Sequence, residues 1–139
     1  MKRTAQHALL LAVLAFCHGC GGIGFAYQQK LSGKFGLVAC DTRTQMSLCE
    51  ILPSGSGLGI IEQTVFAVGW NSDFIIAKRH PSEGFDTTDI DKAVTEFYIL
   101  NVATEKLLGP LDETEFATQR ASLTLPDGLT FTLVFDDLQ

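Results

Sequence analysis

Residues 67–81 read Ala67-Val68-Gly69-Trp70-Asn71-Ser72-Asp73-Phe74-Ile75-Ile76-Ala77-Lys78-Arg79-His80-Pro81, two apolar runs on either side of a polar turn. The first run starts at Thr64 and is apolar at both alternating sets of positions. Its β-branched and aromatic side chains give the pattern of a short strand buried on both faces. Asn71, Ser72 and Asp73 supply turn chemistry, and residues 74–77 return as a second buried strand. Pro81 has no N–H to offer a ladder, so pairing is expected to end there. This hairpin is expected to form the centre of a small sheet.

Downstream, residues 96–102 form another strand-like run, and residues 103–106 turn it into the short Leu107-Leu108, after which Gly109-Pro110 is expected to break the sheet. A helix is predicted over 112–123. Asp112 is its N-cap, Glu113 and Glu115 stand in its first turn, and Leu111 is placed to staple against Phe116. Phe116 and Leu123 are expected on its buried side, with Arg120 near the C-terminal end. Pro126-Asp127-Gly128 ends the helix, and a last strand is predicted over 129–135, followed by an acidic tail.

Upstream, residues 25–27 suggest a first short strand, 32–34 a turn, 36–41 and 46–52 two strands around a polar turn, and 53–57 a loop. The stretch Gly57-Leu58-Gly59-Ile60-Ile61-Glu62 fails the G-x-G-x-x-G pattern at Glu62 and lacks strand-loop-helix surroundings, so nucleotide binding is not inferred. Strands dominate, one helix comes late, and βαβ repetition is absent. The fold class expected is α+β: a mainly antiparallel sheet with one helix of the C-terminal half packed on it.

With 139 residues, 46% apolar and 19% charged, the chain has the length and composition of one globular domain. The formal net charge is −6; without Lys2 and Arg3 of the leader it becomes −8, from 8 basic and 16 acidic residues. An acidic domain of this size repels phosphate backbones, and nucleic acid is not an expected partner.

The N-terminus has a basic start, Lys2-Arg3, an apolar run over 8–16 and a small-residue exit, which together make a bacterial export signal. The apolar run is about half the roughly 20 residues a membrane-spanning helix needs. Cys17 and Cys20 follow it, as in the lipobox of bacterial lipoproteins. Cys17 has Leu14 and Ala15 in favoured places but bulky Phe16 beside the cut, whereas Cys20 has Gly19 there. The residue adjoining the cut is the most restricted, which favours Cys20 as the lipidated residue, with Cys17 as the alternative. The expected organisation is a lipoprotein signal peptide over 1–19, a Gly-rich tether over 20–24 and a single domain over 25–139. Lipid chains would hold the protein to a membrane without a spanning segment. Gly21 after the lipidated cysteine would favour the outer membrane, facing the periplasm, in a Gram-negative host. The C-x-x-C formed by Cys17 and Cys20 abuts the export segment instead of opening a helix in a βαβ unit, so redox or zinc chemistry is not expected.

Cys40 and Cys49 read as a cross-strand disulfide of an exported protein, worth about 2 to 3 kcal/mol in the chain-entropy model; two buried free thiols are the alternative. Asp86, Asp89 and Asp91 lie close together, but their spacing lacks the glycine and terminal glutamate of an EF-hand loop, and a solvated acidic loop is expected.

Several of these segments resemble small bacterial lipoproteins of the domain-of-unknown-function family numbered 3997. The likeness rests on the lipoprotein leader, on Phe74-Ile75-Ile76-Ala77-Lys78 leading to Pro81, on Tyr98-Ile99-Leu100-Asn101, and on Gly109-Pro110-Leu111 followed by Glu115, Phe116 and Arg120. It covers about residues 61–125. Asn101 stands where the family often has an acid, and the cysteine hairpin is no feature of the resemblance. The resemblance supports location and fold and brings no activity with it.

Of the histidines, His7 and His18 belong to the leader region, which leaves His80. No G-x-S-x-G nucleophile elbow occurs, and the cysteines and histidines do not suffice for a structural metal site, so no cofactor, metal or catalytic set is expected. Lys78, Arg79 and His80 are the candidate contacts for an anionic group or a partner; the plainer reading is that Lys78 and Arg79 end a strand and pair with nearby acids. The function expected is a non-enzymatic envelope lipoprotein that binds a protein or glycan partner. The alternatives are a carboxylate-dependent hydrolase, or an inhibitor or immunity protein against a toxin or cell-wall hydrolase.

Overall fold

A computed structural model describes residues 24–83 and 89–139. The expected leader, Cys17, Cys20, most of the expected tether and Asp86 lie outside the described residues. The first half of the domain is a meander of β1 (Tyr27–Ser32), β2 (Phe35–Ala39), β3 (Ser47–Ile51) and β4 (Gly57–Ile61), paired antiparallel in sequence order. β4 was not legible in the sequence. Two glycines interrupt its apolar pattern, and its Leu58 is exposed at this edge of the sheet.

The second sheet contains β5 (Val65–Trp70), β6 (Phe74–Arg79), β7 (Glu96–Asn101), β8 (Leu107–Leu111) and β9 (Leu133–Val134), in the order β8-β7-β6-β5-β9. The β5–β6 hairpin is therefore central, and its two faces serve two different cores. Ile75 and Ala77 of β6, with Tyr98 and Leu100 of β7, join Phe35, Leu37, Leu48 and Ile61 of the first sheet. The alternate residues Ile76, Phe97 and Ile99 pack under the helix α1 (Glu113–Ser122), against Phe116, Leu125 and Leu129. Strand alternation thus feeds both layers from one strand, which accounts for an apolar run without a polar face. Full burial of each such large side chain contributes about 1.5 to 3 kcal/mol. The fold is α+β and mainly antiparallel sheet, divided into two sheets with the helix on the outer side of the second.

The helix begins as its cap residues dictate. Asp112 accepts a hydrogen bond from the N–H of Glu115 at 2.8 Å, and the Glu115 carboxylate accepts from the N–H of Asp112 at 2.9 Å, a closed capping box. Phe116 is buried and packs its ring against Phe97 and Phe131, with centroids 4.9 and 5.9 Å away. Leu123 departs from expectation: it is the C-cap and is 38% exposed. The chain leaves the helix there with Thr124 at φ 54°, and Leu125 takes the core position instead.

Two further expectations need correction. Gly109-Pro110 does not break the sheet but lies within β8, an edge strand, where the missing N–H of a proline faces no partner. The last strand is shorter than residues 129–135: only Leu133–Val134 pair, with Val68 and Ala67 of β5. The residues just before them cross over Gly69, where a side chain's Cβ would lie 1.8 Å from the Thr130 carbonyl oxygen. That close approach carries the chain across the sheet edge before pairing begins.

The Cys40–Cys49 bridge is absent, and both are free thiols. The expected cross-strand match fails on register: β2 and β3 pair Gly36 with Cys49 and Val38 with Ser47, so Cys40 lies past the end of the pairing. Burial, helped by the nearby Cys40, pushes the Cys49 thiol up to about 11.

Candidate functional site

Lys78, Arg79 and His80 are adjacent in sequence, and the period of the strand separates them. Arg79 turns to one side. Its Nε donates to Glu96 at 2.7 Å, its Nη1 lies 3.7 Å from Glu62, and the side chain is only 13% exposed. The Tyr98 hydroxyl donates to the same Glu96 oxygen at 2.8 Å. Burial first, and this bond second, push the Tyr98 phenol well above its ordinary range. Arg79 is thus held between Glu96 of β7 and Glu62 of the connection from β4 to β5, whereas Lys78 makes no such pair among the described residues, and β6 is not an edge strand.

Lys78 and His80 line one cavity on the other side. Its volume is about 480 Å³, and Phe66, Lys92, Thr95, Phe97 and Glu113 are among its walls. The ladder of the hairpin continues one pair past Val65 and Arg79: Thr64 and His80 exchange two backbone hydrogen bonds of 3.0 Å. It closes there, immediately before Pro81. In β5, Phe66 and Ala67 together oppose Lys78, a bulge that adds a residue at the cavity rim.

That bulge residue organises the site. The Phe66 ring stacks on the His80 imidazole with centroids 4.2 Å apart and planes inclined by 14°. His80 is buried, with 4% exposure, and its Nδ1 is 2.7 Å from the carbonyl oxygen of Val94. A carbonyl can only accept, so Nδ1 carries the proton. Nε2 is also buried and has no hydrogen-bond partner among the described residues. An unsatisfied polar atom in such surroundings costs about 1 to 3 kcal/mol, and it calls for a physical reason.

Lys78 supplies charge. Its Nζ stands 4.6 Å from the centroid of Phe131 and 5.2 Å from that of Phe97, and it makes no ion pair among the described residues. The aromatic faces hold the ammonium in place without neutralising it. Lys92 donates to the main-chain oxygen of Gln139 at 3.0 Å. A larger hollow, about 530 Å³, lies beside Lys34 and Glu50 at the turn between β1 and β2. Lys34 is already paired there with Glu105 and Glu50, at 2.7 and 3.0 Å. The smaller cavity is therefore the stronger candidate.

Of the three residues singled out in the sequence, the structure brings Lys78 and His80 together and takes Arg79 away. Phe66, Lys92, Val94, Thr95 and Glu113 escaped sequence reasoning because they reach the site from a bulge, a long loop and a helix start. The isolated aromatic in the run before Ala67 was the one available signal for Phe66.

A family model described as a protein of unknown function (DUF3997) matches residues 35–138. The match includes most of the first sheet, well beyond residues 61–125, where the sequence resemblance was read. No curated protein matches the chain. No solved structure matches it either. By the span of the family model, the chain belongs to the DUF3997 family of proteins of unknown function.

Proposed function

We propose that this chain is a non-enzymatic binding module of the bacterial envelope, exported by residues 1–19, anchored by lipid on Cys20 or Cys17, and loaded at the cavity of Lys78 and His80. One observation carries the binding reading: Lys78, whose ammonium makes no ion pair among the described residues, lines the same cavity as the buried His80. An ammonium without an ion pair in a cavity wall is a ready contact for an anionic group. Acids brought close by ion pairing favour the hydrolase alternative less. Glu62 and Glu96 share Arg79, and Glu50 and Glu105 share Lys34, so each pair has a cation between its members.

Metabolic labelling with a clickable fatty acid tests the anchor. Label is expected on the wild-type chain and on Cys17→Ala, and lost in Cys20→Ala; loss only in Cys17→Ala moves the anchor, and label on neither chain removes it. The binding half is tested by adding a protein-free envelope extract to [15N]histidine-labelled full-length protein. A saturable shift of the His80 ring signals is expected, and an unchanged spectrum counts against a ligand at this site.

A further inference from the structure

We infer that the cavity takes a zwitterionic α-amino acid with an apolar side chain, its carboxylate on the ammonium of Lys78 and its own ammonium on the carboxylate of Glu113. This rests on the reading of the cavity as a binding site and adds the chemistry of the ligand.

Opposite charges line this one cavity without pairing with each other. Lys78 and Glu113 both belong to its wall, and neither makes an ion pair among the described residues. Local structure on each side keeps them apart. The Lys78 Nζ is drawn over the rings of Phe131 and Phe97, 4.6 and 5.2 Å from their centroids. At the helix start, Asp112 and Glu115 close the capping box between themselves, which leaves the exposed Glu113 carboxylate outside it. A molecule that carries both signs gives each group a charge-assisted hydrogen bond.

The remaining groups of the wall narrow the class. Lys92 donates to the main-chain oxygen of Gln139 at 3.0 Å, and its charge adds to that of Lys78. Two lysines against one glutamate leave the wall with excess positive charge, so a bare amine is disfavoured. Glu113 in turn repels a bare acid or a phosphate, which brings it no positive group. His80 offers the ligand no polar contact, since Nδ1 is committed to Val94 and Nε2 is buried. Phe66, Ala93 and Phe97 supply apolar lining for a side chain, and about 480 Å³ has room for one amino acid.

The test uses full-length [15N]-labelled protein, read at the Thr95 amide and the His80 ring signals. Leucine is the probe, isocaproate is the same skeleton without the amine, and isopentylamine is that skeleton without the carboxylate. Leucine is expected to shift these signals saturably, with half-saturation about tenfold below either fragment. Lys78→Gln is expected to raise the midpoints of leucine and isocaproate about tenfold without weakening isopentylamine. Glu113→Gln is expected to do the reverse, weakening leucine and isopentylamine but not isocaproate. Each variant keeps one response intact, which separates loss of a contact from loss of the fold. A leucine midpoint equal to that of either fragment, tighter binding of inorganic phosphate, or absence of this crossed pattern would overturn the inference. If the envelope extract shifts His80 and leucine does not, the ligand class is wrong and the site stands. If neither shifts it, both fall.

Discussion

Phe66 and His80 face each other across the end of the central hairpin, 4.2 Å between ring centroids, with the one buried side-chain polar atom left without a partner among the described residues on the histidine. Stacking explains why a ring is needed at position 80. It does not explain why that ring has a second nitrogen.

Replacing His80 separates the two roles. His80→Phe keeps the stacked ring, removes the orphaned Nε2 and loses one hydrogen bond to Val94, so its stability is expected to fall within about 1 kcal/mol of wild type in urea melts. His80→Ala also removes the ring and leaves a hole against Phe66, with an expected loss of about 3 kcal/mol. A large loss in both variants would mean that the hydrogen bond to Val94 dominates.

Gly69 is expected to tolerate no side chain. A Cβ there would stand 1.8 Å from the carbonyl oxygen of Thr130, and backbone cannot yield as a flexible side chain does. Gly69→Ala is expected to cost about 3 kcal/mol or more, or to detach the crossing segment. Thermal melts measure the first, and faster amide exchange in β9 reports the second.

The helix is expected to depend on Phe116 and not on Leu123. Phe116→Ala removes a ring packed on two others, at a cost of about 3 to 5 kcal/mol. Leu123→Ser changes an exposed cap position and is expected to stay within about 0.5 kcal/mol of wild type. Chemical denaturation of both variants decides whether Leu123 contributes to burial.

Cys49 is expected to make the reduced protein sensitive to alkali. The folded state holds the thiol protonated up to about 11, whereas the unfolded chain releases that proton near the ordinary value of 9.0. Folding is unaffected by this group below the unfolded value. As pH rises from 9 to 11, stability is lost, by about 2 to 3 kcal/mol in all. The raised value of Lys34, from hydrogen bonds to Glu105 and Glu50, acts in the same sense: the protein loses that stabilisation as pH climbs past the folded value. Melting temperatures across this range, with reductant, are expected to fall less steeply in Cys49→Ala than in wild type. Equal slopes would remove Cys49 from the account.

Elements with local signals were legible from the residues alone. The hairpin around Asn71 was legible because its apolar runs lack a polar set, and the helix because Asp112, Glu115, Leu111 and Phe116 satisfy its first turn within a few residues. Packing of whole layers sets the rest: that those strands belong to two sheets, that β8 accommodates Gly109 and Pro110 at an edge, and that Cys40 falls outside the pairing of Cys49. It also decided the site. Lys78 and His80 share a wall because strand side chains repeat every two residues, while Phe66, Lys92 and Glu113 reach that wall through a bulge, a loop and a helix start. Contacts between residues so far apart in sequence are set by how whole layers pack, and no local pattern of residues encodes them.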